Sequence, residues 1–330
     1  MLKSLGIYNL IDNIGINKSI NNVISKNLDF NTYVSPKGIK ELRIEICKFL
    51  YNIWNYNINY KNMLITSGSQ QSINLIASSI IKDNDIILVE QPTYFGAIDI
   101  FKKRNINIIG INLQENGLDL NMLENKILKY SPKLIYVTPT FNNPTGYAWT
   151  NENRKNFLNI INKYNILVIE DDPYSLINFT NYKYNSLYQL NQGKNIIYLG
   201  TFSKLISPSI NIGYILSCKN YIDKIYSFKK SFDLCTNAFL QYIVLDYLEN
   251  NNLIEIIENK IPLYKILLQK SILDLKKSYK NQIKYISKPK GGIFYLVEFY
   301  SYINENVFEN GSNYYINENH NNITRINICC

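Results

Sequence analysis

Lys204 closes the run Gly200-Thr201-Phe202-Ser203-Lys204, which follows the apolar segment Ile196 to Leu199. A lysine amine attacks aldehydes once its pKa is depressed, so a lysine at the end of a buried strand is a candidate for Schiff-base chemistry. Asp171, in Glu170-Asp171-Asp172-Pro173-Tyr174, follows Ile166 to Ile169. A carboxylate there is costly to bury unless it meets a cation, and a protonated heteroaromatic nitrogen serves. Gly68-Ser69-Gln70-Gln71 opens a helix-like stretch. The unsatisfied N–H groups and dipole of a helix start favour a phosphate, and Ser69 and Gln70 add side-chain donors. Tyr94, in Gln91-Pro92-Thr93-Tyr94, offers a flat ring for stacking. Each feature has an ordinary alternative. Ser69 reads equally as a plain N-cap, Asp171 as a turn-capping carboxylate beside Pro173, and Lys204 as one more surface lysine.

The elements that must position these residues follow from the hydrophobic pattern. Short β-branched runs at Ile86 to Val89, Ile106 to Ile111, Leu134 to Val137, Ile166 to Ile169, Ile196 to Leu199 and Ile212 to Leu216 are predicted strands. Amphipathic stretches at Gln70 to Ile81, Tyr94 to Lys103, Leu120 to Lys129 and Asn151 to Lys163 are predicted helices between them. That alternation implies an α/β fold with a mostly parallel sheet covered by helices. Past Leu216 the pattern becomes helical through roughly Lys219 to Lys280, then strand-like over Gly292 to Phe299; the Asn-rich stretch Asn304 to Asn322 reads as loop. The unusual residues all follow strands, in four loops that include Asn142-Asn143-Pro144-Thr145-Gly146. Open parallel sheets bind ligands beyond the carboxyl ends of their strands, so the four loops are expected to converge on one site.

Composition narrows the chemistry. The 330 residues are 46% hydrophobic and 18% charged, ordinary for a globular chain with one large core and a smaller domain. The net charge of +9 comes from scattered lysines with no basic run, so neither nucleic acid nor a membrane is an expected partner. Cys47, Cys218, Cys235, Cys329 and Cys330 show no metal-ligand spacing, and the adjacent pair Cys329-Cys330 is read as incidental. With no signal peptide pattern and no membrane-length apolar run, a reduced, cytoplasmic protein is expected. His320 is the only histidine, which argues against a Ser-His triad, a His-rich metal site and histidine acid-base work. The base must be another group.

A phosphate cradle, a carboxylate for a ring nitrogen, a stacking tyrosine and a lysine amine are together what pyridoxal 5'-phosphate requires. At this point the chain resembles the fold-type I pyridoxal-phosphate aminotransferases, in the branch with 2-aminoadipate and kynurenine aminotransferases and the aminotransferase-like domains of GntR-type regulators. The resemblance rests on Y-V-S-P-K-G-I-K-E-L-R at 33 to 43, I-T-S-G-S-Q-Q at 65 to 71, V-E-Q-P-T-Y at 89 to 94, N-N-P-T-G at 142 to 146, E-D-D-P-Y at 170 to 174, G-T-F-S-K at 200 to 204, K-G-G-I-F at 290 to 294 and T-R-I-N at 324 to 327. It implies a large cofactor domain over 46–250 and a small α+β domain from 1–45 and 251–330. It also implies that Lys204 holds the cofactor as a Schiff base and then shuttles a proton as general base and acid. Asp171 would pair with the pyridinium nitrogen, and Tyr174 and Asn143 would hydrogen-bond the ring hydroxyl. Tyr94 would stack, and Ser69, Gln70, Thr201 and Ser203 would bind the phosphate. Tyr33 would reach the phosphate of a neighbouring subunit, making a homodimer with shared sites. Arg325, one of only four arginines, would hold the substrate carboxylate, next to Asn143. The implied activity is transfer of an amino group between an L-amino acid and a 2-oxo acid by a ping-pong route, in amino acid metabolism. A lyase or decarboxylase on the same fold, or a non-catalytic sensor of the cofactor, keeps the same cofactor residues.

Two departures stand out. The family has an arginine in S-K-x-x-x-P-x-x-R-x-G, where this chain reads S-K-L-I-S-P-S-I-N-I-G and places Asn211. An amide replaces a charge-assisted contact of about 1.5–3 kcal/mol per hydrogen bond, so cofactor affinity is expected to fall roughly ten- to a hundredfold. The stretch before Tyr33 and the segment between Phe299 and Arg325 are short for the family. The second is expected to lack a helix of the small domain, and the first leaves no room for a DNA-binding domain, so a free-standing enzyme is expected.

Overall fold

The computed structural model describes residues 10–26, 28–29, 31–302 and 308–329; Cys330 and positions 304–307 of the Asn-rich stretch lie outside them. The amino-terminal part forms α1 (Asn13–Ser25), α2 (Lys40–Trp54), β1 (Met63–Thr66) and α3 (Gly68–Ile80). Alternation then follows as β2 (Ile86–Gln91), α4 (Phe95–Lys103), β3 (Asn107–Gln114), β4 (Gly117–Leu118), α5 (Leu120–Tyr130), β5 (Leu134–Val137), α6 (Asn151–Tyr164) and β6 (Leu167–Asp172). It continues through α7 (Leu187–Leu190), β7 (Ile196–Thr201) and β8 (Gly213–Leu216). The remainder is α8 (Lys219–Phe232), α9 (Ala238–Asn250), α10 (Leu253–Tyr279), β9 (Ile283–Ile286), β10 (Phe294–Phe299) and β11 (Ile323–Asn327).

The first eight strands form one sheet in the order β1-β8-β7-β6-β5-β2-β3-β4. Pairing is parallel from β7 through β6, β5 and β2 to β3, while β8 runs antiparallel to both neighbours and β4 antiparallel to β3. Strands β1, β5, β6, β7 and β8 are buried along their whole length, as strands covered on both faces must be. Alternation divides their side chains between two cores. Leu64, Val89, Tyr136, Ile169 and Leu199 face one; Met63, Leu88, Ile135, Val168 and Tyr198 face the other. The second sheet, β11-β10-β9, is antiparallel and built from the carboxy-terminal part.

Helix starts carry the expected short polar caps: Asp119, Thr150 and Ser186 each accept from the backbone N–H three residues on. The helical region expected after Leu216 comprises three helices. It breaks after Phe232, where Leu234 takes φ 59°, and Asn237 caps α9 by accepting from the Leu240 N–H. The Asn-rich stretch, where described, is irregular apart from a 3-10 turn over Gly311–Tyr314. Strands β1 and β11, of four and five residues, are additions to the strands read from the sequence. Among the described residues no helix is long and apolar enough to cross a membrane.

Candidate active site

The loops after β1, β2, β5, β6 and β7 do meet. A cavity of about 490 Å³ is lined by Ser69, Gln70, Tyr94, Asn143, Asp171 and Tyr174. Thr201, Ser203, Lys204, Asn211 and Arg325 complete it, so every site residue expected from the sequence lines it except Tyr33. Tyr33 stands at 84% exposure on the surface. Phe95, Thr138, Phe294 and Asn327 also line the cavity and carried no separate signal, although Phe294 and Asn327 end quoted motifs.

Strand alternation explains why one carboxylate of three enters the cavity. Glu170 and Asp172 share a face of β6, where Glu170 accepts from the Leu187 and Tyr188 N–H groups and Asp172 from the Tyr198 hydroxyl and the Ser175 N–H. Asp171 points to the other face, into the cavity. Its Oδ2 accepts from the Tyr136 hydroxyl at 2.6 Å, and its Oδ1 is buried with no hydrogen-bond partner. Burial pushes the Asp171 carboxyl up to about 7, with the charge of Asp172 adding and the Tyr136 hydrogen bond opposing. A buried acceptor lacking a partner costs about 1–3 kcal/mol. A cationic N–H presented from the cavity removes that cost.

The start of helix α3 lines one end of the cavity. Its N-cap is Ser67, not Ser69, and Ser67 makes no side-chain cap; instead its N–H donates to Gln71 Oε1 at 2.8 Å. Ser69 therefore sits in the first turn, where backbone N–H groups have no carbonyl four residues back. Gln70 is more committed than its sequence role implied. Its Nε2 donates to the Gly96 carbonyl at 3.2 Å and its Oε1 accepts from the Tyr94 hydroxyl at 3.0 Å, so the side chain holds Tyr94 at the start of α4. One N–H of the amide remains to donate. Thr201 Oγ1 donates to the Ile212 carbonyl and accepts from the Ser203 N–H at 3.2 Å, fixing the turn that leads to Lys204.

Asn211 takes φ 43°, the left-handed region that asparagine enters more readily than other side-chain-bearing residues. Its Oδ1 occupies the space where a Cβ on Gly68 would stand, so it abuts the start of α3. Gly213 allows the same approach from β8, since a Cβ there would meet the Gly200 carbonyl oxygen at 2.9 Å and the Gly68 backbone at 3.0 Å.

At the opposite end, Arg325 on β11 donates from Nη1 to Asn143 Oδ1 at 3.1 Å and pairs through Nη2 with Glu309 Oε2 at 2.9 Å. Asn143 keeps its amide N–H donors for another acceptor. Tyr174 is buried, and Phe294 meets its ring edge-on at 6.0 Å. His320 pairs with Glu318 and does not line the cavity.

The residues present fit pyridoxal 5'-phosphate: the unpartnered Asp171 oxygen suits a pyridinium nitrogen, the start of α3 suits a phosphate, and Lys204 lies between strand end and cavity. A mostly parallel sheet with its site at the carboxyl ends of its strands is the class that fold and cavity define. The chain belongs to the aminotransferase class I and II family, whose model matches residues 11–329. It is 32% identical over 267 residues to aromatic-amino-acid aminotransferase 1 of Thermococcus litoralis, covering 79% of this chain and 64% of that protein. It is 28% identical over 269 residues to the 2-aminoadipate transaminase of Thermus thermophilus, covering 81% of this chain and 66% of that one. The match thus spans under two thirds of the length of these curated relatives. The crystal structure of kynurenine aminotransferase from Pyrococcus horikoshii, in complex with PMP, superposes with a TM-score of 0.89 at 29% identity, covering 98% of this chain and 83% of that one.

Proposed function

We propose that this protein is a pyridoxal-phosphate-dependent aminotransferase that moves an amino group between an L-amino acid and a 2-oxo acid by a ping-pong route. The observation that carries the reading is the unpartnered, buried Asp171 Oδ1 facing the cavity that Lys204 lines. Membership of the family, and the aminotransferases named among its relatives, support it. Bound pyridoxal phosphate supplies an aldehyde for amine exchange and a ring that accepts electrons from the substrate α-carbon. Every other task falls to the chain. Lys204 is the attachment amine and, once released, the base that takes the α-proton and returns it, a role that needs no histidine. Asp171 keeps the ring nitrogen protonated. Tyr174 and Asn143 orient the ring hydroxyl, Tyr94 covers the ring, and Ser69, Gln70, Thr201, Ser203 and Asn211 hold the phosphate. Arg325 takes the substrate carboxylate.

In the same reading the cofactor domain spans 46–250 and the small domain joins 1–45 to 251–330. The protein acts as a cytoplasmic homodimer in amino acid biosynthesis, with the exposed Tyr33 completing the partner's phosphate site, and its partners are its substrates rather than nucleic acid or membrane. The relatives are named for different amino acids.

The test is an absorbance titration of the protein loaded with pyridoxal phosphate against a panel of amino acids. The expected outcome is loss of the visible band with at least one amino acid and its return on adding a 2-oxo acid. A band indifferent to every amino acid contradicts the reading, and loss without return points to a lyase or decarboxylase.

A further inference from the structure

Arg325 already has a carboxylate on it. Glu309 Oε2 lies 2.9 Å from Nη2, while Nη1 serves Asn143 at 3.1 Å. The guanidinium is packed 4.1 Å over the Phe294 ring, with Tyr314 at 5.4 Å, and its side chain is only 16% exposed. Glu309 is held in place by its backbone. Its carbonyl accepts from Thr324 Oγ1 at 2.9 Å, one residue before Arg325, and Asn310 caps the following 3-10 turn by accepting from the Ser312 N–H at 2.9 Å. That turn is itself tied to the cavity wall, since the Tyr314 carbonyl accepts from the Thr93 N–H at 3.0 Å. The carboxylate is therefore presented to the cavity arginine by a braced segment.

We propose that Glu309 is an internal occupant of the substrate-carboxylate seat, and that it sets how tightly this enzyme holds carboxylate ligands. The proposal rests on the reading above that Arg325 receives the substrate carboxylate. A guanidinium engages a carboxylate best through two parallel N–H···O bonds. Here an incoming carboxylate finds one N–H donating to Asn143 and another to a carboxylate of its own charge. It must displace Glu309 or sit beside it. Displacement costs the existing pair, and coexistence places two negative charges around one largely buried cation. Both routes weaken binding, so the sign does not depend on which one operates. Without a ligand, Glu309 gives Arg325 the partner that a largely buried cation needs. A rival role, in which Glu309 only braces Arg325 in a productive pose, has the opposite sign.

Calorimetric titration of the pyridoxal-phosphate-loaded protein with 2-oxoglutarate and with 3-phenylpropionate separates the two. The comparison is wild type against Glu309→Gln, Glu309→Ala and Arg325→Lys. Both Glu309 variants are expected to bind both probes about tenfold tighter, a factor equivalent to about 1.4 kcal/mol, and Arg325→Lys to bind them more weakly. Unchanged or weaker binding in both Glu309 variants, with Arg325→Lys still weakened, overturns the occupant role and leaves the Arg325 reading intact. Binding unchanged in Arg325→Lys overturns both.

Discussion

Burial lifts the Asp171 carboxyl to about 7 while its own backbone strand gives it no second donor, and the consequence reaches beyond the site. A carboxyl whose folded pKa lies above its unfolded value of 3.8 binds its proton more tightly when folded. Its contribution to stability is therefore greatest below about pH 4 and is lost as pH rises through about 7. Glu90 and Glu170, each also raised to about 7 by burial, act with the same sign. Asparagine at 171 removes one of these contributions. Urea unfolding of the apoprotein is expected to show wild-type stability falling relative to Asp171→Asn between about pH 5 and about pH 8, by on the order of 2–4 kcal/mol. A gap that does not move with pH contradicts the placement of that carboxyl. Pyridoxal phosphate should reverse the trend in wild type alone, because a pyridinium on Oδ1 favours the ionised carboxylate.

Where β7, β8 and the start of α3 come together, backbone closeness rather than side-chain charge shapes the end of the cavity proposed to hold the phosphate. Gly213 lets β8 approach the Gly200 carbonyl and the Gly68 backbone, and Asn211, in a left-handed conformation, fills the space beside Gly68. An arginine there gains charge-assisted hydrogen bonds to a phosphate but must adopt φ 43°, which costs most L-residues about 1–2 kcal/mol. Asn211→Arg is thus expected to tighten pyridoxal phosphate binding roughly ten- to a hundredfold while destabilising the apoprotein by about 1 kcal/mol. Fluorescence titration and thermal melting of the apoprotein measure the two effects. Affinity unchanged by the substitution contradicts a phosphate at this junction. The strands that lead here were legible because they are β-branched runs ending in loops of unusual composition. Strand β1 was not: only Ile65 and Thr66 of its four buried residues are β-branched, and the run gives way at once to Ser67-Gly68. The hydrogen bonds of Gln70 to Tyr94 and Gly96 were hidden for a different reason, since they join residues 24 and 26 apart in sequence.

At the scale of the molecule, the amino-terminal two thirds builds one sheet and its cavity, and the carboxy-terminal part returns to it through β11, bringing Arg325 to the wall. Order and identity of the motifs made that return legible, since T-R-I-N follows K-G-G-I-F as the resemblance requires. The partner of Arg325 was not legible. Glu309 lies in an Asn-rich stretch with no periodicity, which reads as loop, and only the fold places its carboxylate on the guanidinium. Tyr136 escaped for a similar reason: a tyrosine inside an apolar strand reads as core, and its hydroxyl finds Asp171 only across the parallel β5–β6 pair.

The proposed function turns on one covalent attachment. Borohydride reduction of the pyridoxal-phosphate-loaded protein fixes a Schiff base as a stable secondary amine, and proteolysis with mass spectrometry locates it. A single phosphopyridoxyl-modified peptide is expected, with the label on Lys204 and lost in Lys204→Ala. Label on another lysine, or none with the cavity saturated, would contradict it.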